Sequence, residues 1–266
     1  MGSAAKNLTN GQDEEICGNR NTGLLKLLAL AFMLCDHVGV LFFPQVRELR
    51  VIGRMALPLY AWCMVVGCVK TRNPYRYALR ILILAVVCQP LYMMTLRHGW
   101  DYLNIMFLLF FGVISITAIR YTRYGSAIWV PLLCLCFLCV YRVDYGWAGY
   151  LFMLVLYFAR GTRLGLAAAY MAYALFWGTR STPVAKLFGC TIPLVGLDQQ
   201  TPVASLFRLQ GMIWLSLPLI LWQSKGQLRM PRWLGYLLYP LHLVLLMLIR
   251  LMMGTPFQNM IGFLKF

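Results

Sequence analysis

The sequence predicts an all-α integral membrane protein, a polytopic transmembrane bundle of about nine to ten helices. Of its 266 residues, 61% are hydrophobic and 12% are charged, whereas soluble domains have roughly 45–50% apolar and about 25% charged residues. The mean hydropathy is +0.70. Apolar runs near membrane length recur along the chain, and basic residues collect in the gaps between them. These observations exclude an ordinary soluble globular domain.

Nine apolar segments follow one another, and each comes close to the length that a helix needs to cross the bilayer. They lie near residues 24–43, 51–69, 77–95, 101–119, 126–141, 145–159, 164–179, 204–223 and 233–252. Region 183–202 is shorter and interrupted by prolines, so it predicts a re-entrant pair, an outer loop or a tenth helix. Residues 1–23 are polar and predict a mobile tail, followed by a single membrane domain over 24–266.

The distribution of basic residues predicts a cytoplasmic N-terminus. With that orientation the cytoplasmic side receives most of the loop cations, as the positive-inside rule requires: Arg20, Lys26, Lys70, Arg72, Arg76, Arg80, Arg120, Arg123, Arg160, Arg163, Lys225, Arg229 and Arg232. The opposite side receives Arg47, Arg50, Arg97, Arg142, Arg180 and Lys186. We therefore interpret the formal net charge of +16 as a determinant of topology, with the lipid bilayer as partner and no nucleic acid.

The nine cysteines predict neither a disulfide framework nor a metal site. Seven of them fall within apolar segments, where cysteine behaves as a small hydrophobic residue. The run that holds Cys134, Cys136 and Cys139 contains no histidine, so its spacing does not match a zinc site. We expect no metal.

The first apolar segment carries two adjacent ionisable residues, Asp36 and His37, in its middle. A charge within hydrocarbon costs at least ~2.5 kcal/mol, so such residues commonly have a function. The alternative is a polar pair that joins helices through hydrogen bonds without doing chemistry. Asp36 lies about 100° around the helix from His37, so it cannot easily contact the His37 ring. We expect it to contact Arg54 or His242 on a facing helix.

Four further motifs stand inside the predicted helices or at their borders: Ile52-Gly-Arg-Met-Ala-Leu-Pro58, Lys70-Thr-Arg-Asn-Pro-Tyr-Arg-Tyr-Ala-Leu-Arg80, Asp144-Tyr-Gly-Trp-Ala-Gly149 and Tyr239-Pro-Leu-His-Leu243. In type, order and spacing, these motifs and Asp36-His37 resemble the TraX family of bacterial membrane proteins, which includes a protein that acetylates pilin. The resemblance covers about residues 24–252. It implies a polytopic acetyltransferase of the bacterial plasma (inner) membrane that takes acetyl groups from acetyl-CoA.

Acyl transfer from a thioester needs a base for the acceptor, a donor to the developing oxyanion and a grip on the phosphates of CoA. His37 is the predicted base, next to Asp36. Arg54 has two interpretations, as the ion-pair partner of Asp36 or as a clamp for the oxyanion. His242, two residues after Pro240, belongs to the site or bonds a carbonyl that the proline leaves free.

The predicted residues for acetyl-CoA are three arginines at the cytoplasmic border: Arg72, Arg76 and Arg80. Topology alone explains Arg72, whereas Arg76 and Arg80 are four residues apart and share one helix face, where an anion would relieve their repulsion. The thioester arm is expected to reach inward toward His37. Predicted acceptor-binding residues are Asn104, Asp144 and Tyr145, and the acceptor is a peptide amine or a hydroxyl group such as that of a glycan.

Two other functions fit the same residues. A transporter or export accessory would use Asp36 and His37 as a proton relay, and a scaffold or immunity protein would use the charges for packing. Many carriers show internal repeats, and none of the motifs has a second copy in the sequence. Within the acyltransferase hypothesis, direct transfer is favoured over a covalent route through Cys35 or Cys63, because a buried thiol is a poor nucleophile.

Overall fold

The computed structural model describes residues 16–121, 125–184, 186–191, 201–223, 228 and 230–254. Its helices are α1 (Thr22–Leu41), α2 (Arg47–Gly53), α3 (Ala56–Lys70), α4 (Pro74–Leu96), α5 (Ile105–Tyr121), α6 (Ser126–Val140), α7 (Gly146–Ala159), α8 (Arg163–Gly178), α9 (Pro202–Leu206), α10 (Leu217–Leu221) and α11 (Arg232–Met252). A 3-10 helix covers Gly211–Ser216. The predicted all-α fold is confirmed.

Among the described residues, four helical stretches are long and apolar enough to cross a membrane: Thr22–Leu41, Arg47–Lys70, Pro74–Leu96 and Trp233–Met252. Shorter apolar helices cover Ile105–Tyr121, Ser126–Val140, Gly146–Ala159 and Gly211–Leu221. The second predicted segment is divided into α2 and α3 by a turn at Arg54–Met55. The eighth is divided into three short helical pieces. These lengths and compositions are those of a multi-pass membrane protein.

Two small sheets complete the described structure. Strands β1 (Tyr102–Leu103) and β2 (Arg142–Val143) are parallel, with Tyr102 opposite Arg142. Strands β3 (Lys186–Leu187) and β4 (Cys190–Thr191) are antiparallel. The described part of region 183–202 therefore contains a hairpin where a tenth helix was one possibility, because Gly189 takes a positive φ of 77° that favours a tight turn. Residues 192–200 lie outside the described part.

The contacts among the described residues form two units, and the single membrane domain over 24–266 stays a prediction. Unit 1 comprises the described parts of Met1–Arg72 and Phe152–Leu228, and unit 2 those of Asn73–Leu151 and Arg229–Phe266. The core of unit 1 contains the buried side chains of Leu57, Leu59, Trp62, Phe152 and Tyr170. That of unit 2 contains those of Ile81, Met93, Leu108, Leu109 and Tyr150.

The polar stretch before α1 is packed from Ile16 onward, although the sequence predicts a mobile tail as far as α1. Asn19 is 1% exposed. The side-chain Nδ2 of Asn19 donates to the backbone carbonyl of Leu219 at 3.0 Å, and the backbone carbonyl of Asn19 accepts from Trp62 Nε1 at 2.8 Å. These hydrogen bonds compensate the burial of polar groups. The rest of the predicted tail, residues 1–15, lies outside the described residues.

Candidate functional site

Asp36 forms a buried ion-pair cluster in unit 1. The carboxylate accepts from Arg54 Nη2 at 2.8 Å on Oδ1 and 3.1 Å on Oδ2, and from Arg50 Nη1 at 3.0 Å on Oδ2. Asp36 is 8% exposed and Arg54 is 6% exposed. The predicted contact between Asp36 and Arg54 is thus confirmed. The contact of Arg50 with Asp36 was not predicted, because the sequence suggested only a loop charge at that position.

The end of α2 explains why two arginines reach one carboxylate. Arg50 and Arg54 are four residues apart, so their side chains leave the same face of the helix. The backbone N–H of Arg54 still bonds the carbonyl of Arg50 at 3.1 Å, so the helical spacing holds up to the turn. The interval of four residues between two arginines is the sequence signal that identifies Arg50.

Two glycines let α1 and α2 approach closely enough for this ion pair. A Cβ atom at Gly53 would overlap the Cβ and carboxylate of Asp36, and one at Gly39 would meet Leu49 Cβ at 2.9 Å. Gly53 is therefore a steric requirement. The motif that begins at Ile52 thus combines a close helix approach at Gly53 with the cation of Arg54.

We expect the substitution Gly53→Ala to destabilise the fold by about 1–3 kcal/mol, because the new methyl group forces Asp36 away from its arginines. Gly161→Ala is the matched control, since Gly161 is exposed and a Cβ there meets nothing within 4 Å. Thermal unfolding of both purified variants in detergent measures the difference. A Gly53→Ala midpoint equal to that of the control would contradict the close packing.

His37 follows Asp36 on α1 and is 6% exposed. Imidazole as a side-chain type can take up or release a proton near neutral pH. The Asp36 cluster contributes one carboxylate and two guanidinium groups, and the Arg50 side chain is 30% exposed. Buried donors of this kind can stabilise negative charge that develops on a carbonyl oxygen. Unit 1 thus holds a proton acceptor and cationic donors on neighbouring elements.

His242 lies in unit 2 on α11, where it is 5% exposed. Its ring meets that of Tyr239 edge to face, with the ring centroids 5.1 Å apart. The two residues flank Pro240 inside the helix. Asp36 was expected to contact Arg54 or His242, and the structure shows its contact with Arg54. The catalytic role suggested for His242 stays a prediction.

Asn104 is fully buried and connects α5 to α4. Its Nδ2 donates to the carbonyl of Ala85 and to Gln89 Oε1, both at 2.9 Å, while its Oδ1 accepts from the backbone N–H of Met106 at 2.9 Å. Gln89, which sequence reasoning missed, also donates to the carbonyl of Tyr102 at 2.8 Å. Asn104 therefore has a structural role here, and its contact with an acceptor stays a prediction.

Asp144 and Tyr145 form a tight turn between β2 and α7. The backbone N–H of Asp144 donates to the carbonyl of Leu103 at 3.0 Å. Tyr145 has a φ of 62°, and Gly146 follows with a φ of 54°. A tyrosine in this conformation is uncommon, and such strained positions cluster at functional sites.

The side chain of Tyr92 on α4 is buried within unit 2, where it is 2% exposed. Its ring stacks on that of His98, with centroids 5.2 Å apart.

Arg76 and Arg80 are exposed near the start of α4. The helix begins with the side chain of Asn73, whose Oδ1 accepts from the N–H of Arg76 at 3.0 Å. Neither arginine has a carboxylate within 4 Å in the part of the chain that the structure describes. The shared helix face predicted for them is confirmed by α4, whereas Arg72 precedes that helix. Their binding of acetyl-CoA stays a prediction.

Comparison with known proteins places the chain in a family. The model of the family described as TraX protein matches residues 21–250. The chain is 28% identical over 241 residues to a probable fimbrial assembly protein FimC, serogroup H1, of Dichelobacter nodosus. The aligned stretch covers 84% of this chain and 92% of that protein. An uncharacterised protein of Rickettsia prowazekii (strain Madrid E) is 35% identical over 85 residues, or 32% of this chain and 28% of that protein. No solved structure matches. The chain belongs to the TraX family.

Proposed function

We propose that this protein is a membrane acetyltransferase that moves an acetyl group from acetyl-CoA to an acceptor in fimbrial or pilin assembly. The observation that carries the proposal is the buried His37, which directly follows Asp36 on the membrane-length helix α1 of a TraX chain, where Asp36 is ion-paired to Arg50 and Arg54. The similarity to a probable fimbrial assembly protein supports the acceptor class. The acceptor group is the N-terminal amine of a pilin-like or secreted peptide, or a hydroxyl group.

The proposed reaction is a direct transfer. His37 takes a proton from the acceptor as its nitrogen or oxygen attacks the thioester carbonyl carbon. Arg50 or Arg54 donates to the carbonyl oxygen as negative charge develops there, while the Asp36 carboxylate fixes the positions of both guanidinium groups. The new bond to the acetyl carbon forms, the bond from carbon to sulfur breaks, and the CoA thiolate takes the proton from His37.

The contacts of Asp36 favour an enzyme over a proton relay. A relay carboxylate must exchange its proton with neighbouring groups. Both oxygens of Asp36 already accept from guanidinium groups that hold the side chain in place. This arrangement suits a positioning role for Asp36.

A test of the proposed function uses the purified full chain in detergent with acetyl-CoA and a synthetic peptide. We expect release of free CoA with a peptide that has a free N-terminus, and little release when the same terminus is blocked. Release that is equal with both peptides and without peptide contradicts transfer to the amine. A glycan-derived hydroxyl acceptor is the second arm of the assay.

The donor site provides a separate prediction. Replacing Arg76 and Arg80 together with Gln should raise the KM for acetyl-CoA about tenfold or more, because phosphate contacts from guanidinium groups are lost. The salt dependence of KM should weaken as well, since fewer charge contacts remain to be screened. Arg163→Gln, which removes an exposed cation at the start of α8, is the matched control. An unchanged KM in the well-folded double variant would remove these arginines from the donor site.

A further inference from the structure

Helices α4, α5 and α6 of unit 2 form an apolar groove of about 320 Å³. Its lining includes Tyr75, Leu79, Leu82, Phe110, Thr117 and Val130. The Thr117 hydroxyl donates to the carbonyl of Val113 at 2.7 Å, so its hydrogen bond is used within the helix. A ligand in the groove therefore meets mostly hydrocarbon. Polar groups buried there would lose their hydrogen bonds to water without replacement.

The groove runs along the helices. On α4 it extends from Tyr75 to Leu82, and on α5 from Phe110 to Ala118, which correspond to roughly 10–12 Å at 1.5 Å per residue. Helices that cross a bilayer lie near its normal, tilted by ~20° on average. The long axis of the groove is therefore close to the direction of the lipid chains.

The surface around the groove is suited to lipid. Leu79 is 53% exposed, Ile83 is 54% exposed and Ile128 is 70% exposed. On helices of membrane length, exposed apolar side chains of this kind face the hydrocarbon. The groove is thus open to the bilayer.

Cations stand at one end of the groove. The guanidinium of Arg120 lies 5.0 Å from the centroid of the Tyr121 ring at the end of α5. Arg76 and Arg80 are exposed on the first turns of α4, beside the lining residue Tyr75. Arginine is suited to phosphate, and tyrosine is enriched where membranes meet water. This end of the groove offers the charge that an anionic headgroup requires.

We propose that the groove binds one acyl chain of an anionic phospholipid, with the lipid phosphate at the Arg120 end. The apolar lining selects a hydrocarbon chain over the amide-containing arm of CoA. The basic residues select an anionic headgroup over a zwitterionic one. The lipid phosphate is assigned to Arg120, whereas the proposed acetyl transfer uses the Asp36 cluster and, for the phosphates of acetyl-CoA, Arg76 and Arg80.

Native mass spectrometry of the delipidated full chain in detergent tests the proposal. The probes are dioleoyl phosphatidylglycerol, dioleoyl phosphatidylcholine and the chainless glycerol phosphate. Val130→Trp fills the groove from α6, and Ile128→Trp adds the same side chain to the exposed face of that helix as the matched control. Arg120→Gln tests the headgroup. Elution volume on size exclusion shows that each variant is folded.

We expect one phosphatidylglycerol molecule to be retained by the wild type and by Ile128→Trp, in preference to phosphatidylcholine. Val130→Trp should weaken the binding of phosphatidylglycerol about tenfold or more, because about two CH₂ groups of the acyl chain can no longer be buried in the groove. Arg120→Gln should reduce the preference for phosphatidylglycerol. Equal retention of the two lipids by the wild type, equal binding by the two tryptophan variants, or equal binding of glycerol phosphate would overturn the proposal.

Discussion

Replacing His37 with alanine will lower the rate of acetyl transfer by ~10²–10⁴-fold, the usual contribution of a general base. His37 is buried and directly follows the ion-paired Asp36 on α1, and the proposed reaction requires a proton acceptor. Membrane insertion should be unaffected, because removing a polar group from the middle of an apolar helix does not oppose insertion. Single-turnover kinetics with saturating acetyl-CoA measure the chemical step directly.

The variant His37→Gln distinguishes proton transfer from hydrogen bonding. Glutamine keeps a donor and an acceptor but cannot carry the proton, so we expect it to be as inactive as alanine. Cys35→Ala on the same helix is the control, and it should retain activity if transfer is direct. Near-normal turnover by His37→Gln would mean that His37 serves packing, and a parallel loss in His242→Gln would identify the base in α11.

Removing the carboxylate of Asp36 should destabilise the protein by about 3–5 kcal/mol, because the substitution Asp36→Ala leaves the buried guanidinium of Arg54 without its observed ion partner. Thermal unfolding in detergent, followed by size exclusion, measures the loss. Arg50→Gln should have a much smaller effect on stability, since the Arg50 side chain is 30% exposed and Arg54 still holds Asp36. A midpoint for Asp36→Ala equal to that of the wild type would show that the pair contributes little.

The double variant Asp36→Leu with Arg54→Met separates stability from function. Replacing both members of a buried ion pair by apolar side chains of similar size is often neutral or stabilising. We therefore expect this variant to regain most of the stability that Asp36→Ala loses. Its acetyl transfer should remain low, because Arg54 is gone and Arg50 has lost the carboxylate that positions it. Recovered stability together with recovered activity would contradict the catalytic role of Arg54.

The helices of this protein follow from the periodic return of apolar runs, and each of the nine predicted segments contains helix. The interruptions were harder to predict. Hydropathy treats residues around Arg54 and Met55 as parts of one run, although α2 ends at Gly53 and α3 begins at Ala56. Apolar composition measures transfer out of water and does not report where a helix is interrupted.

Part of the candidate site was also accessible from the sequence. A carboxylate in a membrane helix needs a cation, and Arg54 was one of the two expected partners of Asp36. Arg50 was missed because basic residues near a membrane border are usually explained by topology. The hydrogen bonds of Asn104 with α4 and of Asn19 with Leu219 were missed because local sequence contains no information about partners so distant along the chain.

Tracing an isotopically labelled acetyl group tests the central proposal most directly. The purified protein is incubated with acetyl-CoA that is deuterated in the acetyl group and with a peptide that has a free N-terminus, and the peptide is analysed by fragment mass spectrometry. We predict that the label appears on the N-terminal residue with wild-type protein and is absent with His37→Gln. Label that stays in acetyl-CoA, or that is released only as acetate, would contradict the assignment of this protein as an acetyltransferase for a peptide amine.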